Sequence, residues 1–111
     1  MRQGVARRGE LKRERSVGKI FRMMAKRIFY KGKVQGVGFR FGVRQIAEGF
    51  SVAGYASNLP DGRVEVFLQG AREEVEAMEK EIGESHLAGF IRETCGSETP
   101  AESGRKGFQI L

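Results

Sequence analysis

Tryptophan is absent from the 111 residues, and cysteine and histidine occur once each. With Cys95 alone there is no intrachain disulfide, and one His and one Cys cannot close a zinc site, which takes four ligands. No uninterrupted apolar run approaches the roughly 20 residues that span a bilayer. The N-terminal stretch also lacks the apolar core of about 7–15 residues that marks a secretory signal. These absences lead to the expectation of a cytoplasmic domain with no membrane association, no structural metal and no cofactor.

What is present suits one compact domain, since the chain is too short for two. Apolar residues make up 40% and aromatics 9%, enough for a core. The formal charge of +6 is unevenly placed. Residues 1–23 hold eight basic residues and the two acids Glu10 and Glu14, so they account for all of it. Residues 24–111 hold 12 basic and 12 acidic residues and are neutral. That balance removes the main compositional reason to expect a nucleic-acid-binding body. The basic stretch has little apolar content, and it reads as a disordered leader ahead of a domain at 24–111. An inert tail, or residues upstream of a start at Met24, is favoured over an electrostatic arm, because charge runs are usually solvated.

Along the body, Arg27–Lys33 reads as a strand ended by Gly32. Apolar residues at Val43, Ile46, Ala47 and Phe50 predict a helix over Phe41–Phe50, with Gly49 as its C-cap. Val52–Asn58 and Arg63–Gln69 form a hairpin around Leu59-Pro60-Asp61-Gly62, where proline presets φ and glycine accepts φ > 0. Ala71, Val75, Met78 and Ile82 make the buried stripe of a second helix, Ala71–Ile82, and Glu73 and Glu74 favour its N-terminus. Leu87–Glu93 reads as a strand, Thr94–Gly104 as a loop and Gly107–Leu111 as a short closing strand. The βαββαβ order implies an α+β, ferredoxin-like sandwich: an antiparallel sheet, two helices on one face and an extra C-terminal strand. That fold alone says nothing of function.

Lys33-Val34-Gln35-Gly36-Val37-Gly38-Phe39-Arg40 falls at the first strand-to-helix turn. Two glycines two apart let successive N–H groups converge in an anion-binding nest. The helix behind adds free N–H groups and the positive end of its dipole. Arg40 adds a planar guanidinium suited to phosphate oxygens. A bare G-x-G more often makes only a tight turn. There is no Gly-Lys-Ser/Thr for a Walker loop, and Phe41 stands where a dinucleotide fingerprint needs a third glycine. Asn58, before Leu-Pro-Asp-Gly, is good turn chemistry and is also a candidate to hydrogen-bond a water beside the cradle. In the inferred fold, the strands ending at Gly32 and Asn58 are neighbours at the sheet centre.

Gly32 through Arg40 resembles the phosphate-loop signature of the acylphosphatase family, and Gly54-Tyr55-Ala56-Ser57-Asn58-Leu59-Pro60-Asp61-Gly62-Arg63-Val64-Glu65 resembles its second signature. The two motifs occur in order and at the right spacing, and the similarity runs over about residues 26–83 before weakening after Ile82. The resemblance implies that Gln35, Gly36, Val37, Gly38, Phe39 and Arg40 bind the substrate phosphate, and that Arg40 and Asn58 are catalytic. Arg40 would hold the phosphoryl group while Asn58 orients the attacking water. It further implies a monomeric, metal-independent hydrolase of small acyl phosphates. The carboxylate leaving group departs without a strong general acid, so no Ser-His or Cys-His set is required, and His86 and Cys95 are expected in packing or surface roles. One alternative is a non-catalytic, ferredoxin-like module binding an anion or RNA, suggested by the basic leader and by Lys106-Gly107-Phe108, although sheet-face aromatics are few. A carbamoyl-phosphate-handling domain is a weaker contender, because larger proteins with such a domain continue into zinc-binding cysteine clusters.

Overall fold

The computed structural model describes residues 22–111, so the leader lies outside the described residues except for Arg22 and Met23. Those two belong to the fold. Strand β1 spans Met23–Gly32, and the Arg72 N–H donates to the Arg22 carbonyl at 2.7 Å. Helix α1 (Phe39–Ala47) follows, then β2 (Val52–Asn58), β3 (Val64–Ala71) and helix α2 (Arg72–Glu84). A short 3-10 turn (His86–Phe90) leads into β4 (Ile91–Thr99), and β5 (Phe108–Ile110) closes the chain. The sheet order is β4-β1-β3-β2-β5. All pairings are antiparallel except β2 with β5, so the sheet is mixed rather than wholly antiparallel. Among the described residues no helix is long and apolar enough to cross a membrane.

The core lies between helices and sheet. From the sheet come Ile28, Tyr30, Val64, Val66 and Leu68, and from the helices Phe39, Val43, Val75, Met78 and Ile82, all buried. The predicted stripe of α2 is buried throughout, as periodicity of 3.6 requires. The helix starts at Arg72, with Ala71 as its cap residue, and the buried Glu74 accepts from the Ser51 N–H at 2.8 Å. Helix α1 begins two residues earlier than its apolar spacing indicates and ends at Ala47. Its C-cap is Glu48, and Gly49 carries no positive φ.

Three other expectations need correction. Strand β3 lies between β1 and β2, so the strands ending at Gly32 and Asn58 are not neighbours. The crossover through α1 leaves a one-strand gap, which the hairpin partner fills. Leu87–Phe90 is not strand: Leu87 is buried in the 3-10 turn, where it meets Gly42 of α1. Conversely, Thr94–Thr99, read as loop, is most of β4. No residue from Arg92 to Glu98 is buried, so the strand has no apolar alternation to betray it.

Between β2 and β3 the backbones come together at Gly54, where an added Cβ would overlap the Phe67 carbonyl. Gly54→Ala is expected to lower unfolding free energy by at least about 1–3 kcal/mol, the usual cost of overpacking. Urea denaturation followed by circular dichroism measures the loss.

Candidate active site

The turn from β1 into α1 is anchored on both sides. Val34 and Phe39 are buried, and the Phe39 ring lies 5.3 Å from that of Tyr30. Burial, aided by the charge of Glu79, pushes the Tyr30 phenol well above its usual range, so it stays neutral and serves packing. Between the anchors, Gly36 and Gly38 both have φ of 79° and are exposed. A Cβ at either would meet nothing within 4 Å, so glycine is needed for its left-handed backbone and not for space.

Gly38 is the N-cap of α1, and no side chain caps the helix. Its first turn contains no acid, whereas that of α2 contains Glu73 and Glu74. The N-terminal end of α1 therefore keeps its positive dipole end and uncapped N–H groups directed at the glycine turn. Arg40 sits in that first turn. Its Nη1 donates at 2.6 Å to the main-chain oxygen of Leu111, whose N–H donates at 2.9 Å to Ala56. Ala56 is two residues before Asn58 on β2, so these two bonds hold Arg40 against the end of the strand that carries Asn58.

Asn58 is exposed and pairs across the hairpin with Val64, which pairs in turn with Tyr30. That row ends the sheet on the side where the glycine turn begins. The turn after Asn58 closes through Leu59 N–H to Arg63 oxygen, at 2.8 Å. Asp61 fixes it further, accepting from the Arg63 N–H at 3.1 Å and Nε at 2.9 Å.

Gln35 joins the two halves. Its side-chain amide donates to the Leu59 oxygen at 2.8 Å and to the Arg63 oxygen at 3.0 Å. The side chain of Gln35 thus faces the hairpin, leaving its main-chain N–H as the group with which it can join a cradle. Sequence reading misses this latch because its partners are 24 and 28 residues away. His86 and Cys95 are exposed and belong to neither half. Phe108 packs against the core instead of standing free as an RNA-stacking aromatic.

The chain resembles known proteins over most of its described length. The family model described as acylphosphatase matches residues 26–110. An acylphosphatase of Hahella chejuensis is 39% identical over 84 residues, covering 76% of this chain and 89% of that protein. The crystal structure of acylphosphatase from Bacillus subtilis superposes with a TM-score of 0.72 at 28% identity, covering 79% of this chain and 98% of that one. Full-length HypF, in a phosphate- and nucleotide-bound form, gives a TM-score of 0.76 at 30% identity. There the match covers 85% of this chain but 12% of that protein.

If the glycine turn and Arg40 form one anion site, Arg40→Ala weakens inorganic phosphate binding by about tenfold or more, the worth of a charge-assisted hydrogen bond. Gln35→Leu costs about 1–3 kcal/mol of stability through the loss of two hydrogen bonds worth about 0.5–1.5 kcal/mol each, both carbonyls keeping a main-chain donor, with a smaller effect on phosphate. Titration calorimetry and urea denaturation separate the two effects.

Proposed function

The chain belongs to the acylphosphatase family, and from that premise we propose how its residues carry out the hydrolysis of acyl phosphates to a carboxylate and inorganic phosphate. The observation that supports the reading is that Gln35 ties the glycine turn to the hairpin that follows Asn58, while Leu111 links Arg40 to β2 two residues before Asn58. The main-chain N–H groups of the turn, from Gln35 to Phe39, surround the phosphoryl oxygens together with the start of α1. Arg40 binds the same oxygens through its guanidinium, with Leu111 and Ala56 setting where that group lies. Asn58 holds a water on the side opposite the acyl group.

The chemistry demands little beyond position and charge. Water oxygen forms a bond to phosphorus while the bond from phosphorus to the acyl oxygen breaks. The electron pair leaves on the carboxylate, and the water proton passes to a phosphate oxygen. A carboxylic acid has a pKa of about 4, so its anion leaves without protonation by the protein. Neutralising the phosphoryl oxygens and placing water in line supply the acceleration. This accounts for a site built from backbone amides, one arginine and one asparagine, and we propose that it works without a metal. We extend the proposal to a cytoplasmic enzyme whose catalytic unit is one copy. The main-chain amides, Arg40 and Asn58 of a single copy supply every group that the step requires.

Phosphate release from benzoyl phosphate in the presence of a chelator tests the reaction and its metal independence together. Arg40→Ala is expected to lower kcat/KM by at least about 10²–10³-fold, as loss of a main charge-stabilising donor does. Asn58→Ala should lower kcat on a similar scale while inhibition by inorganic phosphate changes little. Full turnover by both variants would remove these residues from the mechanism.

A further inference from the structure

Among the described residues, three large apolar side chains are exposed: Met23, Phe41 and Leu111. Scattered exposed apolar residues are ordinary and need no explanation. Phe41 differs by its place. It follows Arg40 directly, in the first turn of the helix whose N-terminal end meets the glycine turn, and it is 50% exposed.

Helix geometry fixes where the ring lies. An α-helix turns about 100° per residue, so Phe41 stands roughly 160° round from both Phe39 and Val43. Those two are buried in the core, which puts Phe41 on the outer face of α1, away from the sheet. Helical side chains lean toward the N-terminus, so this ring covers the outer surface back toward Gly38 and the glycine turn. Arg44, three residues on, leans the same way, and its guanidinium carbon lies 5.3 Å from the centre of the Phe41 ring. The other exposed residues from α1 through its cap, Arg44, Gln45 and Glu48, stand farther from the turn.

In-line attack assigns the two sides of the site different tasks. Asn58, with the water that attacks, belongs to the end of β2 and so to the sheet. The acyl oxygen leaves on the side opposite that water, away from the sheet, and there Phe41 is the large apolar group beside the turn. Building on the hydrolysis proposed above, we propose that Phe41 determines specificity for the acyl group. Its ring forms a platform on which that group lies, so acyl phosphates with an aromatic or bulky apolar acyl group are favoured over acetyl phosphate. Arg44 holds the ring from the C-terminal side and leaves the side toward the turn for the substrate. A phenyl ring offers nothing to the phosphoryl oxygens or to the water. The contact therefore holds ground state and transition state alike, and it acts through KM.

Steady-state hydrolysis of benzoyl phosphate and of acetyl phosphate by the full chain tests the platform. Phe41→Ala is expected to raise KM for benzoyl phosphate about three- to tenfold, the worth of one aromatic contact, with kcat little changed. KM for acetyl phosphate should move by less than about twofold, because a single methyl covers little of the ring. Phe41→Trp, which keeps an aromatic face, should retain the preference for benzoyl phosphate. Inhibition by inorganic phosphate should be the same in all three proteins, which also reports an intact cradle. Equal losses on both substrates, no change on either, or an equal loss from Phe41→Trp would each overturn the role of Phe41. Phosphate release from acetyl phosphate by the unaltered chain is the separate test of hydrolysis. Its absence removes the reaction itself, whereas its presence with unchanged selectivity in Phe41→Ala removes the platform alone.

Discussion

Two carbonyl oxygens at the end of the β2–β3 hairpin, those of Leu59 and Arg63, accept from the side-chain amide of Gln35, and the proposed site depends on that pair of bonds. The sheet places β3 between the strand that feeds the glycine turn and the strand that ends in Asn58. Strand spacing is about 4.8 Å, so two loops rooted two strands apart begin roughly 10 Å from each other. Gln35 spans part of that distance from one side. From the other, Arg40 reaches β2 through Leu111. The amide gives the Leu59 and Arg63 carbonyls a second donor and the guanidinium donates to the main-chain oxygen of Leu111, and these bonds tie the two loops together across the fold.

The rest of the sheet serves that end by being stiff. On one face the helices bury a continuous core. On the other, the segment after β4 folds back over the sheet. Gln69 exchanges two hydrogen bonds with the main chain of Glu102, at 2.9 and 2.7 Å, as a strand neighbour would. Arg105 lies 4.8 Å from the Tyr55 ring, which stacks on the fully buried Phe67. Beneath it, Glu65 accepts from Arg27 and from the Tyr55 hydroxyl. Burial raises the Tyr55 pKa, and so does its bond to Glu65, which keeps the phenol a donor. The aromatic surface that an RNA-binding sheet presents to solvent is here covered by the protein's own chain.

Where a segment has one wet face and one buried face, or a turn that only glycine can make, the sequence shows it. The stripe Val75, Met78, Ile82 and the turn Pro60-Asp61-Gly62 are legible for these reasons, as are the paired glycines of the cradle. Strand β4 is not legible, because both its faces are wet and its strand character comes only from pairing with β1. Leu87 and Phe90 misled for the opposite reason: they are apolar because they pack beneath α1 and α2, not because they alternate across a sheet. The site divides in the same way. Gly36, Gly38, Arg40 and Asn58 belong to ordered motifs, whereas the bonds of Gln35 and Leu111 are made across the fold and leave no trace in local spacing.

Charge distribution ties the chemistry to this architecture. Because the body is neutral overall, the proposed attraction for an anion rests not on its whole surface but on the helix end where acids are missing and a dipole ends. The contrast between the two helices shows how: α2 compensates its N-terminus with Glu73 and Glu74, while α1 leaves its own to the glycine turn. In the proposed site, a field made of backbone dipoles and one guanidinium would not depend on proton transfer and would be in place before a phosphoryl group arrives. Such preorganisation suits a reaction whose leaving group is already a stable anion, and it explains why so small a fold can carry the activity.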